Sequence, residues 1–206
     1  MGELMVREQL MSRGISDRMV LQAMKRVPRH LFVPRGQWDA AYGDYPLPIG
    51  RGQTISQPYI VAYMTEKLLL QGGERVLEVG TGSGYQTAVL ASLAGEVFTI
   101  EVIKSLSARA KETLDSLGYT NIRYQTGDGF YGWSEEAPFR GILVTAAAPD
   151  IPKPLVQQLE IGGIMIVPIG KSREIQELVR IRRDPEDISV KTLIDVRFVP
   201  LTHRLR

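Results

Sequence analysis

Apolar residues along this chain change their spacing from segment to segment, and the changes mark out the elements. Glu3 to Ser12 and Asp17 to Arg26 carry helical spacing, separated by Arg13-Gly14-Ile15. Gly14 suits a C-cap for the first helix and Ser16 an N-cap for the second. Val76-Leu77-Glu78-Val79 is a mostly apolar run ending in a G-x-G-x-G turn (Gly80, Gly82, Gly84). An amphipathic segment, Tyr85 to Ala94, follows it. That is a buried strand, a tight turn and a helix start. Further strands are predicted at Glu96 to Ile100, Ile122 to Gln125, Arg140 to Thr145 and Ile164 to Ile169. Helices alternate with them at Tyr59 to Leu70, Lys104 to Leu117 and Pro152 to Leu159. Near the end, Ile175 to Ile181 and Val190 to Val199 read as strands joined by Arg183-Asp184-Pro185-Glu186-Asp187, too short a connection for a helix.

This order predicts an α/β fold: a doubly wound, Rossmann-like, mostly parallel sheet with an N-terminal helical section and a C-terminal antiparallel hairpin at one edge. Residues 1–58 and 59–206 divide as a helical, proline-rich covering segment and an α/β core, together one compact unit. From Pro28 to Pro58 lie five of the chain's 12 prolines (Pro28, Pro34, Pro46, Pro48, Pro58), so neither a continuous helix nor a central strand fits. The same stretch holds Phe32, Val33, Trp38, Tyr42, Tyr45, Leu47 and Ile49, whose burial predicts an ordered cover over the core.

The glycine turn is the first candidate for chemistry. Three glycines let the backbone turn sharply and let a ligand approach where a Cβ would collide. A dinucleotide fingerprint would place a third glycine where Tyr85 stands, and no G-K-[ST] follows, so the loop suits a nucleoside without phosphates. Glu101 closes the next strand about 20 positions after Gly80, where a carboxylate can accept hydrogen bonds from both ribose hydroxyls. The third strand runs into Gly127-Asp128-Gly129, where Asp128 could reach the exocyclic amine of an adenine. Taken singly, these are a tight βα loop, a solvated strand end and a turn residue. In order and in register they predict a nucleoside site.

These residues resemble the class I S-adenosylmethionine-dependent methyltransferases. The resemblance implies that Glu78, Gly80, Thr81, Gly82, Ser83, Gly84, Glu101, Asp128 and Gly129 form the cofactor site. Within it, Glu101 would hold the ribose, Asp128 would lie by the adenine, and the three loop glycines would face the methionine part.

Gly52-Gln53-Thr54-Ile55-Ser56-Gln57-Pro58-Tyr59 is the second candidate. Two hydroxyls and two amides precede a helix-opening Pro-Tyr, and on the residues alone Ser56 reads first as a cap for that helix. A closer resemblance sharpens the reading. Val27 to Pro34, Ala41-Tyr42 through Pro46-Leu47-Pro48-Ile49-Gly50, Gly52 to Pro58, Val144 to Pro149, Gly162-Gly163 before the strand Ile164 to Pro168, and Phe198 to Leu201 are similar to the protein-L-isoaspartate O-methyltransferase family. The likeness spans nearly the whole chain. It implies S-adenosyl-L-methionine as methyl donor (product S-adenosyl-L-homocysteine) and the α-carboxylate of isoaspartyl residues as acceptor. It also implies Ser56 as the active-site residue, with Thr54 and Ile55 beside it at the substrate. The ester product would close to a succinimide whose hydrolysis restores some normal aspartyl linkages. One departure is Phe139-Arg140-Gly141, where the family usually carries an aspartate in place of Arg140.

Composition narrows the alternatives. With 44% hydrophobic and 23% charged residues, the chain has an ordinary globular balance. A formal charge of +2 predicts no nucleic-acid surface, although arginines gather toward the end among interspersed acids. The absence of cysteine removes disulfides, a thiol nucleophile and a cysteine-bound zinc, and His30 and His203 lie far apart, so no metal site is expected. The first residues lack a signal-peptide pattern and no apolar run is long enough to span a bilayer; the expectation is a cytoplasmic monomer acting on isoaspartyl proteins and peptides, away from membranes. Competing readings are a methyltransferase for RNA or a small metabolite, a silent cofactor-binding module and a nicotinamide dehydrogenase. The first lacks an N/D-P-P-Y/F motif, since Thr145-Ala146-Ala147-Ala148-Pro149 stands in that place; the last is disfavoured by Tyr85.

Overall fold

The structure is a computed structural model that describes residues 1–171 and 174–202; His203 lies outside the described residues. The chain opens with a helical run, α1 (Gly2–Met5) followed by one π turn (Val6–Leu10) and one 3-10 turn (Met11–Arg13), and then α2 (Arg18–Arg26). Gly14 ends the run at φ +89°, as its position predicted. The cap of α2 is Asp17 and not Ser16: the Asp17 carboxylate accepts from the amides of Met19 and Val20, while the amides of Ser16 and Asp17 donate to Glu66. A carboxylate cap outcompetes the neighbouring hydroxyl at a helix N-terminus because it also meets the dipole.

The proline-rich stretch is ordered, as expected. It makes two short 3-10 turns (Arg29–Phe32 and Arg35–Gln37) and a small antiparallel hairpin, β1 (Leu47–Gly50) with β2 (Gln53–Ile55). Phe32, Val33, Leu47 and Ile49 are buried, but Trp38 and Tyr45 remain well exposed. Their rings are spent at the surface, with Trp38 edge-on to His30 and beneath the Arg35 guanidinium.

After α3 (Pro58–Lys67) the core alternates β3 (Arg75–Val79), α4 (Tyr85–Ala91), β4 (Glu96–Glu101), α5 (Lys104–Ser116), β5 (Ile122–Thr126), β6 (Phe139–Val144), α6 (Lys153–Gln157) and β7 (Leu159–Ile169). The hairpin β8 (Gln176–Arg183) and β9 (Ile188–Val196) follows. The seven strands lie in the order β5-β4-β3-β6-β7-β8-β9, parallel from β5 to β7 and antiparallel for the last two pairings. This is the predicted doubly wound sheet with its edge hairpin. Gly162 and Gly163, read from the sequence as a turn before a strand, lie inside β7 instead. Gly162, at φ +82°, sits at a register shift against β6 that lets the strand begin at Leu159 and shortens α6.

Two apolar layers sandwich the sheet. Val76, Leu143, Ile164 and Ile166 face α2, α3 and α4, whereas Leu77, Phe98, Ile142 and Met165 face Leu155 of α6. The strand order reverses at β3, between β4 and β6. A crevice therefore opens at the carboxyl ends of those strands.

Candidate active site

At the end of β3 the chain leaves the sheet at Gly80, whose φ is +100° and whose missing Cβ would strike the Thr145 hydroxyl. That hydroxyl donates to Gly80 O (2.7 Å), tying the loop to the end of β6. Gly84, at φ +87°, serves packing: a Cβ there would lie 3.2 Å from Ala110 and 3.1 Å from Leu114 of α5. It is not on the wall of the crevice, and its lack of a side chain lets α5 pack behind the turn. Ser83 Oγ accepts from the Tyr85 amide and helps start α4.

The Glu101 carboxylate lies at the end of β4 and is 6% exposed. One oxygen accepts from the Gly82 amide (2.8 Å) and the other from the Ile103 amide (2.9 Å). Each oxygen keeps a further lone pair, so the group is oriented by the loop without being used up.

Glu78 is placed below the loop. It is fully buried; Thr87 and Thr99 each donate to one oxygen at 2.6 Å, and Thr99 continues to Thr81 at 2.6 Å. Its other oxygen has no partner among the described residues. Burial pushes the carboxyl up to about 8, against the two hydroxyl bonds that lower it, so at neutral pH it is carried largely as the acid. Glu78 therefore braces the loop from underneath and is not on the crevice wall. Asp128 also stands back from the wall: one oxygen accepts from the Phe130 amide (3.0 Å), and its neighbour Gly129 is the lining residue.

The crevice has a volume of about 800 Å³ including its open mouth. Gly80 to Ser83, Glu101, Ile103 and Gly129 form one side, and Gln53 to Ser56 with Val199 to Thr202 the other. Of the expected residues, Thr54, Ile55, Ser56, Gly80, Thr81, Gly82, Ser83, Glu101 and Gly129 come together here. Sequence reasoning missed Tyr85, Gln86, Thr145 and the segment 199–202. For Thr145 the signal was its place after the strand at the reversal point. For 199–202 the signal is the Phe198 to Leu201 motif, whose backbone pairs with Ala147 through two hydrogen bonds of 2.8 Å and so lies along the crevice.

A second cavity, about 1050 Å³, adjoins the first and opens to the surface. Pro46, Gln57, Ile60, Ile175, Asp195, Arg197 and Phe198 line it, and Thr54, Ser56, Thr145 and Val199 line both. The helix after Ser56 is not capped by it: the residue at the N-cap is Gln57, without a side-chain cap bond. Among the described residues the Ser56 hydroxyl makes no hydrogen bond, so the capping role expected on the residues alone is overturned. It is a free donor on the wall between two cavities.

Arg140 lies at the far, amino end of β6. It donates to Gly162 O and pairs with Glu160 at 3.6 Å, remote from both cavities. The reversed charge has found its own acidic partner on the neighbouring strand. Among the described residues no group of three or more His, Asp or Glu is placed to hold a metal ion.

A doubly wound sheet with this strand order, a phosphate-averse glycine turn and an acidic end to β4 defines a class I S-adenosylmethionine-dependent methyltransferase. The comparisons narrow the class. The family model described as protein-L-isoaspartate(D-aspartate) O-methyltransferase matches residues 2–206, and the chain belongs to that family. It is 55% identical to protein-L-isoaspartate O-methyltransferase 2 of Shewanella sediminis over 99% of this chain and 84% of the relative. It is 57% identical to protein-L-isoaspartate O-methyltransferase 1 of Syntrophobacter fumaroxidans, over 96% and 92%. Among solved structures, one from Plasmodium falciparum, assigned to the same enzyme and in complex with S-adenosyl-L-homocysteine, superposes with a TM-score of 0.84 at 28% identity, covering 98% of each chain.

Proposed function

We propose that the chain methylates the α-carboxylate of L-isoaspartyl residues in damaged proteins and peptides, with Ser56 orienting that carboxylate at the junction of the two cavities. The observation that carries the site assignment is the unspent Ser56 hydroxyl on the wall shared by a nucleoside-sized crevice and an open groove.

The residues present fit the methyl donor. The Glu101 carboxylate retains lone pairs for two ribose hydroxyls, Gly129 with the neighbouring Asp128 would stand by the adenine, and the backbone of 80–83 would hold the methionine part. When bound, S-adenosylmethionine supplies an activated methyl on a sulfonium. The acceptor carboxylate is ionised at neutral pH, so the chain need provide no general base. Its own tasks are alignment and exclusion of water. Thr54 shares the junction with Ser56, and Ile55, buried against the core, fixes the strand that presents both. The covering segment 1–58 would thereby bring Thr54 and Ser56 to the acceptor, joined there by 195–199, while the core supplies the loop 80–83 and Glu101 for the donor. The neighbouring backbone nitrogen would then attack the ester carbonyl, losing its proton and expelling the methoxy group as methanol, to close the succinimide from which repair proceeds.

The same reading takes the enzyme as a cytoplasmic monomer that acts on protein and not on nucleic acid. A formal charge of +2 supports the last point, and no described helix is long and apolar enough to cross a membrane. The deciding experiment is methyl transfer from labelled S-adenosylmethionine to matched peptides containing isoaspartate or aspartate. Base-labile label on the isoaspartyl peptide alone is expected; label on neither, with the donor still bound, would return the substrate to RNA, a metabolite or a silent role.

A further inference from the structure

The motif Val27 to Pro34 contains a residue the reaction has not yet used. Arg29 is completely buried, at the start of the 3-10 turn Arg29–Phe32. Among the described residues no carboxylate lies within ion-pair distance of it, although Asp44 favours its charge from farther off. Its Nε donates to Ala41 O and its Nη2 to Ser56 O, both at 2.7 Å, while Nη1 has no partner among the described residues. The guanidinium carbon lies 4.7 Å from the centroid of the Tyr85 ring, itself on the wall of the donor crevice. Burial depresses the arginine's proton affinity, but an arginine stays charged in any protein interior.

A cation buried without a direct ion pair is a poor packing device, because an apolar residue of similar volume would avoid the desolvation cost. What a guanidinium supplies is a rigid fork with donors at fixed angles. Here the fork grips two carbonyls of the proline-rich cover, that of Ala41 and that of Ser56. The helix begins after Ser56, and the first backbone bond of that turn runs from Val61 to Gln57 O. Helix hydrogen bonding therefore does not hold the Ser56 carbonyl.

We propose that Arg29 is a positioning residue for methyl transfer: by tying the Ser56 carbonyl to that of Ala41, it fixes the direction in which the Ser56 hydroxyl meets the acceptor carboxylate. The inference rests on the reading of Ser56 given above.

The test compares Arg29→Lys, Arg29→Gln, Ser56→Ala and the double variant Arg29→Lys/Ser56→Ala, using an isoaspartyl peptide. Lysine and glutamine keep N–H donors but lack the rigid planar fork that holds both carbonyls at fixed angles. Arg29→Lys is expected to melt cooperatively and to bind S-adenosylhomocysteine within about threefold of the parent, with kcat lowered at least about tenfold. Backbone amides of 53–57 should exchange faster, while those of 76–79 should not change. The double variant should lose little beyond Ser56→Ala alone, because both act on one contact. Parental kcat in Arg29→Lys alongside an impaired Ser56→Ala would overturn the clamp and leave the Ser56 reading standing. Parental turnover in Ser56→Ala would overturn the reading of Ser56 itself. Equal losses of donor affinity and kcat, or failure of both arginine variants to fold, would make Arg29 a prop of the fold and sink the proposal.

Discussion

At the scale of single residues, the site is built from groups whose bonding capacity is either spent or held in reserve. Ser56 is in reserve. Replacing it by alanine removes one hydrogen bond to a charged acceptor, a contribution of about 1.5–3 kcal/mol, and so should lower kcat by roughly 10- to 100-fold. Donor affinity, measured by calorimetric titration, should stay within about twofold; unchanged turnover would leave the hydroxyl without a role. Glu101 is half spent, since each oxygen already holds one backbone amide. Glu101→Gln keeps the shape but turns one acceptor into a donor, facing an N–H that also donates. Weakening of S-adenosylhomocysteine binding by about tenfold or more is expected, with thermal stability lowered as well because the loop loses its anchor. Parental affinity in that variant would remove Glu101 from the ribose.

Among the elements, the glycine turn depends on what lies beneath it. Glu78 joins β3 to α4 through Thr87 and to β4 through Thr99, and the chain of hydroxyls ends on Thr81 in the loop. Its carboxyl is raised from the ordinary 4.5 to about 8 by burial, so the folded state holds a proton that the unfolded chain releases. Stability from this group is complete below about pH 4.5 and is lost as pH rises through about 8. Glu78→Gln, neutral throughout, should therefore gain on the parent between pH 5 and pH 8.5 in denaturant titrations; a constant difference would show that the carboxyl is ionised at both. Asp17→Ala should cost about 1 kcal/mol through the lost cap of α2, read as a fall in Tm of about 2–4 °C. The elements were legible where one rule dominated: apolar runs gave β3, β4 and β6, and proline with glycine gave the cover. Sequence reading slipped where two local rules competed. Ser16 and Asp17 are both good caps, and only the contact with Glu66 shows which of them starts the helix. Gly162-Gly163 is equally a turn or a bulge until the register against β6 is known. In the site, Gly84 also packs against Leu114 and the Asp128 carboxylate accepts from the Phe130 amide, contacts that the spacing of the motifs does not announce.

For the molecule as a whole, the donor crevice is a composite whose walls come from opposite ends of the chain. One side belongs to the sheet: the loop 80–83 and the end of β4. The other is laid over it, by the hairpin β1–β2 from the front of the chain and by 199–202 from its end. The hairpin is held from outside, since Arg109 of α5 donates to Ile49 O (2.6 Å) and Gln37 to Pro48 O (3.0 Å). The end segment is held by its two bonds to Ala147. These few bonds contrast with the full ladders of β3 and β4, so the covers should open locally at lower free energy than the sheet. A ligand contacting both sides must then oppose local opening of the covers as well as global unfolding, since both break its site. Saturation at about 100 times Kd adds about 2.7 kcal/mol to every opening that breaks the site. Hydrogen exchange with and without S-adenosylhomocysteine should thus slow by roughly 100-fold at the amides of 53–56 and of Val199, Leu201 and Thr202. The amides of 76–79, which exchange only through global unfolding, should slow by the same factor from a far slower start. Protection confined to 80–83 and 101–103 would mean that the donor rests on the sheet alone, and that neither end of the chain closes over it.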